Sequence, residues 1–134
     1  MIQRDRSQAL DETLRRLGLV AEGVKTCVVL NDDGFPIAAY TASGSPERDD
    51  DPLNAAQVAA VAARLTGQAE RTLGRLAQGD MGRLVLEGEH GTLLNCPAGD
   101  ATLALVIEKG ASMGHVMFAA QKAAAEIESI LARG

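Results

Sequence analysis

The sequence predicts an α+β fold: a three-layer α/β/α sandwich, with helices above and below one five-stranded antiparallel sheet, in the order α-ββ-α-βββ-α. Apolar residues recur with helical spacing in three segments and with strand character in five. Two of those five, Thr26 to Leu30 and Ala101 to Ile107, are apolar on both alternating faces, so they need cover on both sides and belong at the centre of the sheet. The length of 134 residues leaves no room for a second core, so residues 1–134 are expected to form a single domain.

The first helix rests on Leu10, Leu14 and Leu17, at i, i+4 and i+7 with charged residues between them, and is expected to end at Gly18. Thr26 to Leu30 and Phe35 to Tyr40 flank Asn31-Asp32-Asp33-Gly34, which reads as a hairpin because Asp-Gly accepts the positive φ angles of a tight turn. From Thr41 to Asp51 the sequence turns to Ser, Gly, Pro and acid, and a mobile loop is expected. Asp51-Pro52 then offers an N-cap and a proline at the first helical position, opening a long alanine-rich helix to about Leu76.

Gly82 to Glu87 and Thr92 to Cys96 flank Gly88-Glu89-His90-Gly91 as a second hairpin. Pro97-Ala98-Gly99-Asp100 is a further turn, and Ala101 to Glu108 the fifth strand. Met113, Val116, Met117, Ala120, Ala124, Ile127 and Leu131 mark the core stripe of a final helix.

Composition excludes several functions. Lys and Arg number 13 against 18 Asp and Glu, a net charge of −5, which disfavours nucleic acid as a partner. With Tyr40, Phe35 and Phe118 the only aromatics, neither a base-stacking platform nor an aromatic-lined ligand pocket can be built. No apolar run has the length of a membrane span, and residues 1–18 show no signal-peptide core, so no membrane insertion and a cytoplasmic location are expected. Cys27 and Cys96 lie in apolar extended runs and are expected to be buried, reduced thiols.

The catalytic search is negative. No phosphate-binding glycine motif occurs, so no nucleotide cofactor or hydrolysis is expected. Reading Asn31 to Gly34 as a calcium loop fails, because the preceding ligand position is Val29 and the closing one Tyr40. His90 has only Glu87 and Glu89 near it, and His115 falls on a polar helix side, so neither a metal site nor a catalytic base is expected.

The second helix is unusual in having two apolar faces. At 100° per residue, Val58, Val61, Leu65, Ala69, Thr72 and Leu76 share one face, large enough to pack on the sheet. Roughly opposite lie Ala56, Ala60, Ala63, Gly67 and Gly74, small enough for another backbone to approach, most simply the same helix of a second copy across a two-fold axis. The plain alternative is alanine chosen for helix propensity on an exposed face, against which the two interior glycines argue. Gln57, Arg64, Gln68, Arg71 and Arg75 form a basic flank, a candidate partner surface on an acidic chain.

The element order, the hairpin Leu30-Asn31-Asp32-Asp33-Gly34-Phe35-Pro36-Ile37-Ala38, the segment Gly91-Thr92-Leu93-Leu94-Asn95-Cys96-Pro97 and the strand ending Leu103-Ala104-Leu105-Val106-Ile107 together resemble the Roadblock (roadblock/dynein light chain) family. The resemblance covers nearly the whole chain. It implies a homodimer in which Gly82 to Glu87, with Leu84 and Leu86, pairs with its copy while the long second helices pack together. It also implies a non-catalytic regulator of a small Ras-like GTPase, acting by reshaping the GTPase instead of inserting an arginine. An arginine finger from Arg64, Arg71 or Arg75 is the sharper alternative. Two other classes stand beside this reading: a pure scaffold in a larger complex, and a small-molecule sensor, which an aromatic-poor core of Ala, Val and Leu serves badly.

Overall fold

The computed structural model describes residues 2–42 and 51–133, so most of the loop expected between Thr41 and Asp51 lies outside the described residues. In chain order the elements are α1 (Ile2–Val20), β1 (Val24–Leu30), β2 (Pro36–Thr41), α2 (Ala55–Arg75), β3 (Leu84–Glu87), β4 (Gly91–Ala98), β5 (Ala101–Glu108) and α3 (Met113–Ala132). The strands form one antiparallel sheet in the order β2-β1-β5-β4-β3. β5 is therefore central with β1 beside it, where their two-sided apolar sequence places them.

Strand alternation sorts the core into two layers. Val28 and Leu30 of β1 and Ala104 of β5 pack with Ala55, Val58, Ala59 and Ala62 of α2. Their neighbours Cys27, Val29, Leu103, Leu105 and Ile107 point the other way, into a larger core with Leu10, Leu14 and Leu17 of α1 and Val116, Ala120, Ala124 and Ile127 of α3. One helix covers one face and two cover the other.

The β1–β2 turn is organised by Asn31 as much as by Gly34. The Asn31 side-chain oxygen accepts from the backbone of Asp33 and of Phe35, both at 3.0 Å, while Gly34 takes φ +84°. A bulge between Val29 and Leu30 sets Leu30 opposite Pro36. Bulge and proline together blunt this edge of the sheet.

Three local expectations are corrected. α1 does not stop at Gly18 but runs on to Val20. The missing side chain serves packing: a Cβ on Gly18 would overlap the Tyr40 ring, which lies across the helix at this point. Asp51 does not cap α2; its carboxylate accepts from Leu53 N at 2.9 Å in a turn ahead of the helix. The cap is Asn54, whose side chain accepts from Gln57 N at 2.8 Å. Finally, of the face Val58, Val61, Leu65, Ala69, Thr72 and Leu76 expected against the sheet, only Val58 is buried; Leu76 is 63% exposed and Val61 39%. The helix is turned roughly 70° from that reading, so that Val58 and three alanines, Ala55, Ala59 and Ala62, meet Val28 and Leu30 of β1 and Ala104 of β5.

Candidate partner interface

Rotation of α2 redistributes its faces. All four of its buried residues, Ala55, Val58, Ala59 and Ala62, lie in the first half, on an arc whose opposite side carries Gln57, Arg64, Arg71 and Arg75. The basic residues are thus the outermost ridge of the helix rather than a flank, with Gln68 exposed beside them. None of the three arginines forms an ion pair among the described residues. Arg71 folds back along the helix: a Cβ on Gly67 would stand 3.4 Å from its guanidinium.

The small-residue stripe falls into two parts. Ala56, Ala60 and Gly74 are exposed, whereas Ala63 and Gly67 are half-buried and line a cleft of about 380 Å³ with Leu30, Met81, Pro97 and Ala101 of the same chain. Ala63 also sits beneath the β1–β2 turn, where a Cβ on Gly34 would meet it at 3.1 Å. Small size at these two positions therefore has a use within the protomer.

The sheet itself is covered unevenly. On the α1/α3 face every strand is roofed, with Leu94, Cys96 and Ala98 of β4 buried and Val85 of β3 packed against that core. On the α2 face alternation brings up Leu84 and Leu86 from β3 and Leu93 and Asn95 from β4, with Leu86 paired to Leu93 and Leu84 to Asn95. Leu86 is 53% exposed, and Leu84 and Leu93 are only half-buried. β3 is also the end of the sheet, with a backbone edge that no described strand pairs.

Asn95 was not singled out by sequence reasoning as a site residue, and it joins the two halves of this face. Fully buried, it donates through Nδ2 to the Ala62 carbonyl at 3.3 Å and to Thr66 Oγ1 at 3.1 Å, fixing α2 over β4. Its Oδ1 has no hydrogen-bond partner among the described residues. A polar residue at an inward position of a strand was the available signal.

The remaining candidates stay apart. His90 meets only Glu89, at 4.0 Å on the exposed hairpin. His115 Nε2 lies 3.1 Å from the Val20 carbonyl at the end of α1. Among the described residues no group of three His, Cys, Asp or Glu is placed to hold a metal ion, and no helix is long and apolar enough to cross a membrane. Both cysteines are free and buried. Burial pushes the Cys27 thiol up from 9.0 to about 12; burial also raises Cys96, partly countered by the charge of Arg83. Neither is an activated nucleophile.

A five-stranded antiparallel sheet with one helix on one face, two on the other and an open β3 edge defines the architectural class. The chain belongs to the Roadblock/LC7 domain family, whose profile matches residues 10–108. The uncharacterised protein MJ1340 of Methanocaldococcus jannaschii is 30% identical over 109 residues, spanning 81% of this chain and 89% of that one. Among solved structures, the gliding protein MglB of Thermus thermophilus superposes with a TM-score of 0.84 at 21% identity, covering 96% of this chain and 93% of the other. Myxococcus xanthus MglB gives 0.81 at 16% identity, covering 95% and 90%. A Roadblock/LC7 domain from Streptomyces avermitilis gives 0.78 at 20%, covering 90% and 96%.

Proposed function

We propose that the protein is a homodimeric, non-catalytic regulator of a small Ras-like GTPase in the cytoplasm. The observation that carries the partner surface is the outward ridge of Arg64, Arg71 and Arg75, with Gln68 beside it, without an ion pair among the described residues on a chain of net charge −5. Such a ridge suits an acidic protein surface and speeds encounter with it. The fold shared with MglB supports the regulatory reading.

The dimer reading is supported by the bare half of the sheet. A two-fold that pairs β3 with its copy would make one ten-stranded sheet and bring each second helix over the other protomer's Leu84 and Leu86. Ala56, Ala60, Ala63, Gly67 and Gly74 would then let the helices approach closely, with Ala56, Ala60 and Gly74 the positions free to do so.

Light scattering at micromolar concentration tests the dimer: wild type should have twice the protomer mass, and Leu86→Glu or Ala60→Glu, both at exposed positions, should lower it. A monomeric wild type refutes it. For the partner, a small Ras-like GTPase of the same organism, loaded with a non-hydrolysable GTP analogue, should bind wild type and lose affinity on charge reversal at Arg64, Arg71 and Arg75, with strong salt dependence. Conservative Arg→Lys changes should keep most of any stimulated hydrolysis. A collapse of hydrolysis with binding intact would establish an arginine finger instead, since only guanidinium offers the planar fork. Binding without any change in hydrolysis would establish a scaffold.

A further inference from the structure

We propose that the groove between α1 and α3, on the side of the sheet away from α2, docks a short acidic segment of a partner protein through a single leucine or aromatic anchor. The two helices run antiparallel, as the contacts His115 to Val20 at 3.1 Å and Arg16 to Glu126 at 2.9 Å require. Between them lies a groove of about 160 Å³ with Leu17, Ala119 and Ala123 among its lining residues. A cavity of about 150 Å³ accepts one benzene-sized group, so the space suits one large apolar side chain.

The walls are apolar and exposed. Phe118 is 71% exposed and Val20 56%. Two large apolar side chains left in water on facing helices mark a contact surface. Phe118 stands outside the core stripe of α3, so packing within the protomer gives no reason for it.

The rim specifies the occupant's charge. Arg16 and Lys122 flank the groove, and its one carboxylate, Glu126, is already engaged by Arg16. Lys122 has no ion pair among the described residues. On a chain of net charge −5 this local excess of cations fits an acidic ligand. A second copy fits poorly, because a two-fold at this groove sets Lys122 near its own mate. Beyond the Arg16–Glu126 pair the groove continues past Glu12 towards Ser129 and Arg133, whose guanidinium keeps the lining positive by one charge over its two carboxylates. His115 to Arg133 spans roughly 27 Å at 1.5 Å per residue, so a few turns of helix laid lengthwise can carry the anchor at one end and carboxylates along the rest.

The test uses the full chain, isotopically labelled for NMR, and two probe peptides: one leucine flanked by glutamates one helical turn away, and a twin with lysines for glutamates. Amide shifts with the acidic peptide should fall on the C-terminal half of α1 and along α3. Phe118→Glu, at an exposed position, should weaken that binding by about tenfold or more without changing the melting curve. Lys122→Glu should weaken the acidic peptide by about fivefold and shift preference to the lysine twin, a swap that misfolding does not produce. The proposal is overturned by no shifts up to about 1 mM peptide, by equal binding of both peptides, or by shifts confined to α2 and β3. Binding of phosphatidylserine vesicles without peptide binding would make the groove a lipid contact. A fall in solution mass on Phe118→Glu would make it a contact between copies.

Discussion

Gly18→Ala should destabilise this protein although alanine is the better helix former, and the destabilisation should reverse sign when Tyr40 is removed. The added Cβ would overlap Cε2 of Tyr40 and stand 2.7 Å from Cδ2 and Cζ, well inside ordinary carbon contact distance, so the ring must leave its seat. A tyrosine buries about 150–250 Å² when fully enclosed. Tyr40 is half-buried, so displacement exposes roughly 100 Å², or about 2.5 kcal/mol at 25 cal/mol per Å². Replacing a helical glycine by alanine returns about 1 kcal/mol. The net loss is about 1.5 kcal/mol, a fall of roughly 5 °C in Tm for a domain of this size. In a Tyr40→Ala background only the propensity gain survives, so Gly18→Ala there should stabilise by up to about 1 kcal/mol. Urea unfolding followed by far-ultraviolet circular dichroism measures all four corners of the cycle, at one protomer concentration because self-association would shift the midpoint. Stabilisation by Gly18→Ala in the wild-type background, or the same sign in both backgrounds, would refute the packing argument.

Three further outcomes follow from the buried polar groups. Because Cys27 is held neutral to about pH 12 in the folded chain but ionises from about 9.0 when unfolded, stability is fully present below pH 9 and falls as pH rises through this window, by about 1.4 kcal/mol per unit; Cys27→Ala should flatten the profile between pH 8.5 and about 10.5. Neither thiol should react with a disulfide reagent in native protein, and no Cys27–Cys96 bridge should form, since β5 separates their strands and the register sets them two residues out of line, roughly 12 Å apart; mass spectrometry of unreduced protein checks both. Asn95→Asp buries a carboxylate beside the Ala62 carbonyl and should cost about 3 kcal/mol or more, whereas Asn95→Leu, which removes the buried Oδ1 but leaves Thr66 Oγ1 without its donor, should cost less, about 1–2 kcal/mol.

The five strands and three helices were legible because each is a statement about period, and period survives without knowledge of neighbours. Thr26 to Leu30 and Ala101 to Ile107 announced two covered faces, and β1 and β5 have them. What failed was rotation and cause. Ranking by side-chain size put Val61, Leu65 and Leu76 against the sheet, but the helix that fits over Val28, Leu30 and Ala104 is one that presents alanines. Gly18 was read as a stop because glycine most often acts through its backbone, whereas here it acts through the volume it leaves for a ring from β2, 22 positions along the chain. Both errors share one origin: a residue's role was judged from its own type, and the structure sets it by the shape of what lies opposite.

The candidate surfaces follow from the same arithmetic of cover. Five strands present two faces, and the chain has two helices for one and a single helix for the other. α2 seats only its first half, at Ala55, Val58, Ala59 and Ala62, since Asn95 holds it over β4 at Ala62 and Thr66 and nothing beyond is buried against the sheet. The leucines of β3 and β4 are consequently half-roofed, while the remainder of α2 carries an arginine ridge with no partner among the described residues. Truncating α2 to its seated half would spare the small core yet remove Arg71 and Arg75; beyond Thr66 the helix flanks the cleft at Gly67 and Glu70 and buries no residue among those described. A 21-residue helix of which the protomer's own core engages only the first half leaves the second half as the surface on which the proposed partners would act.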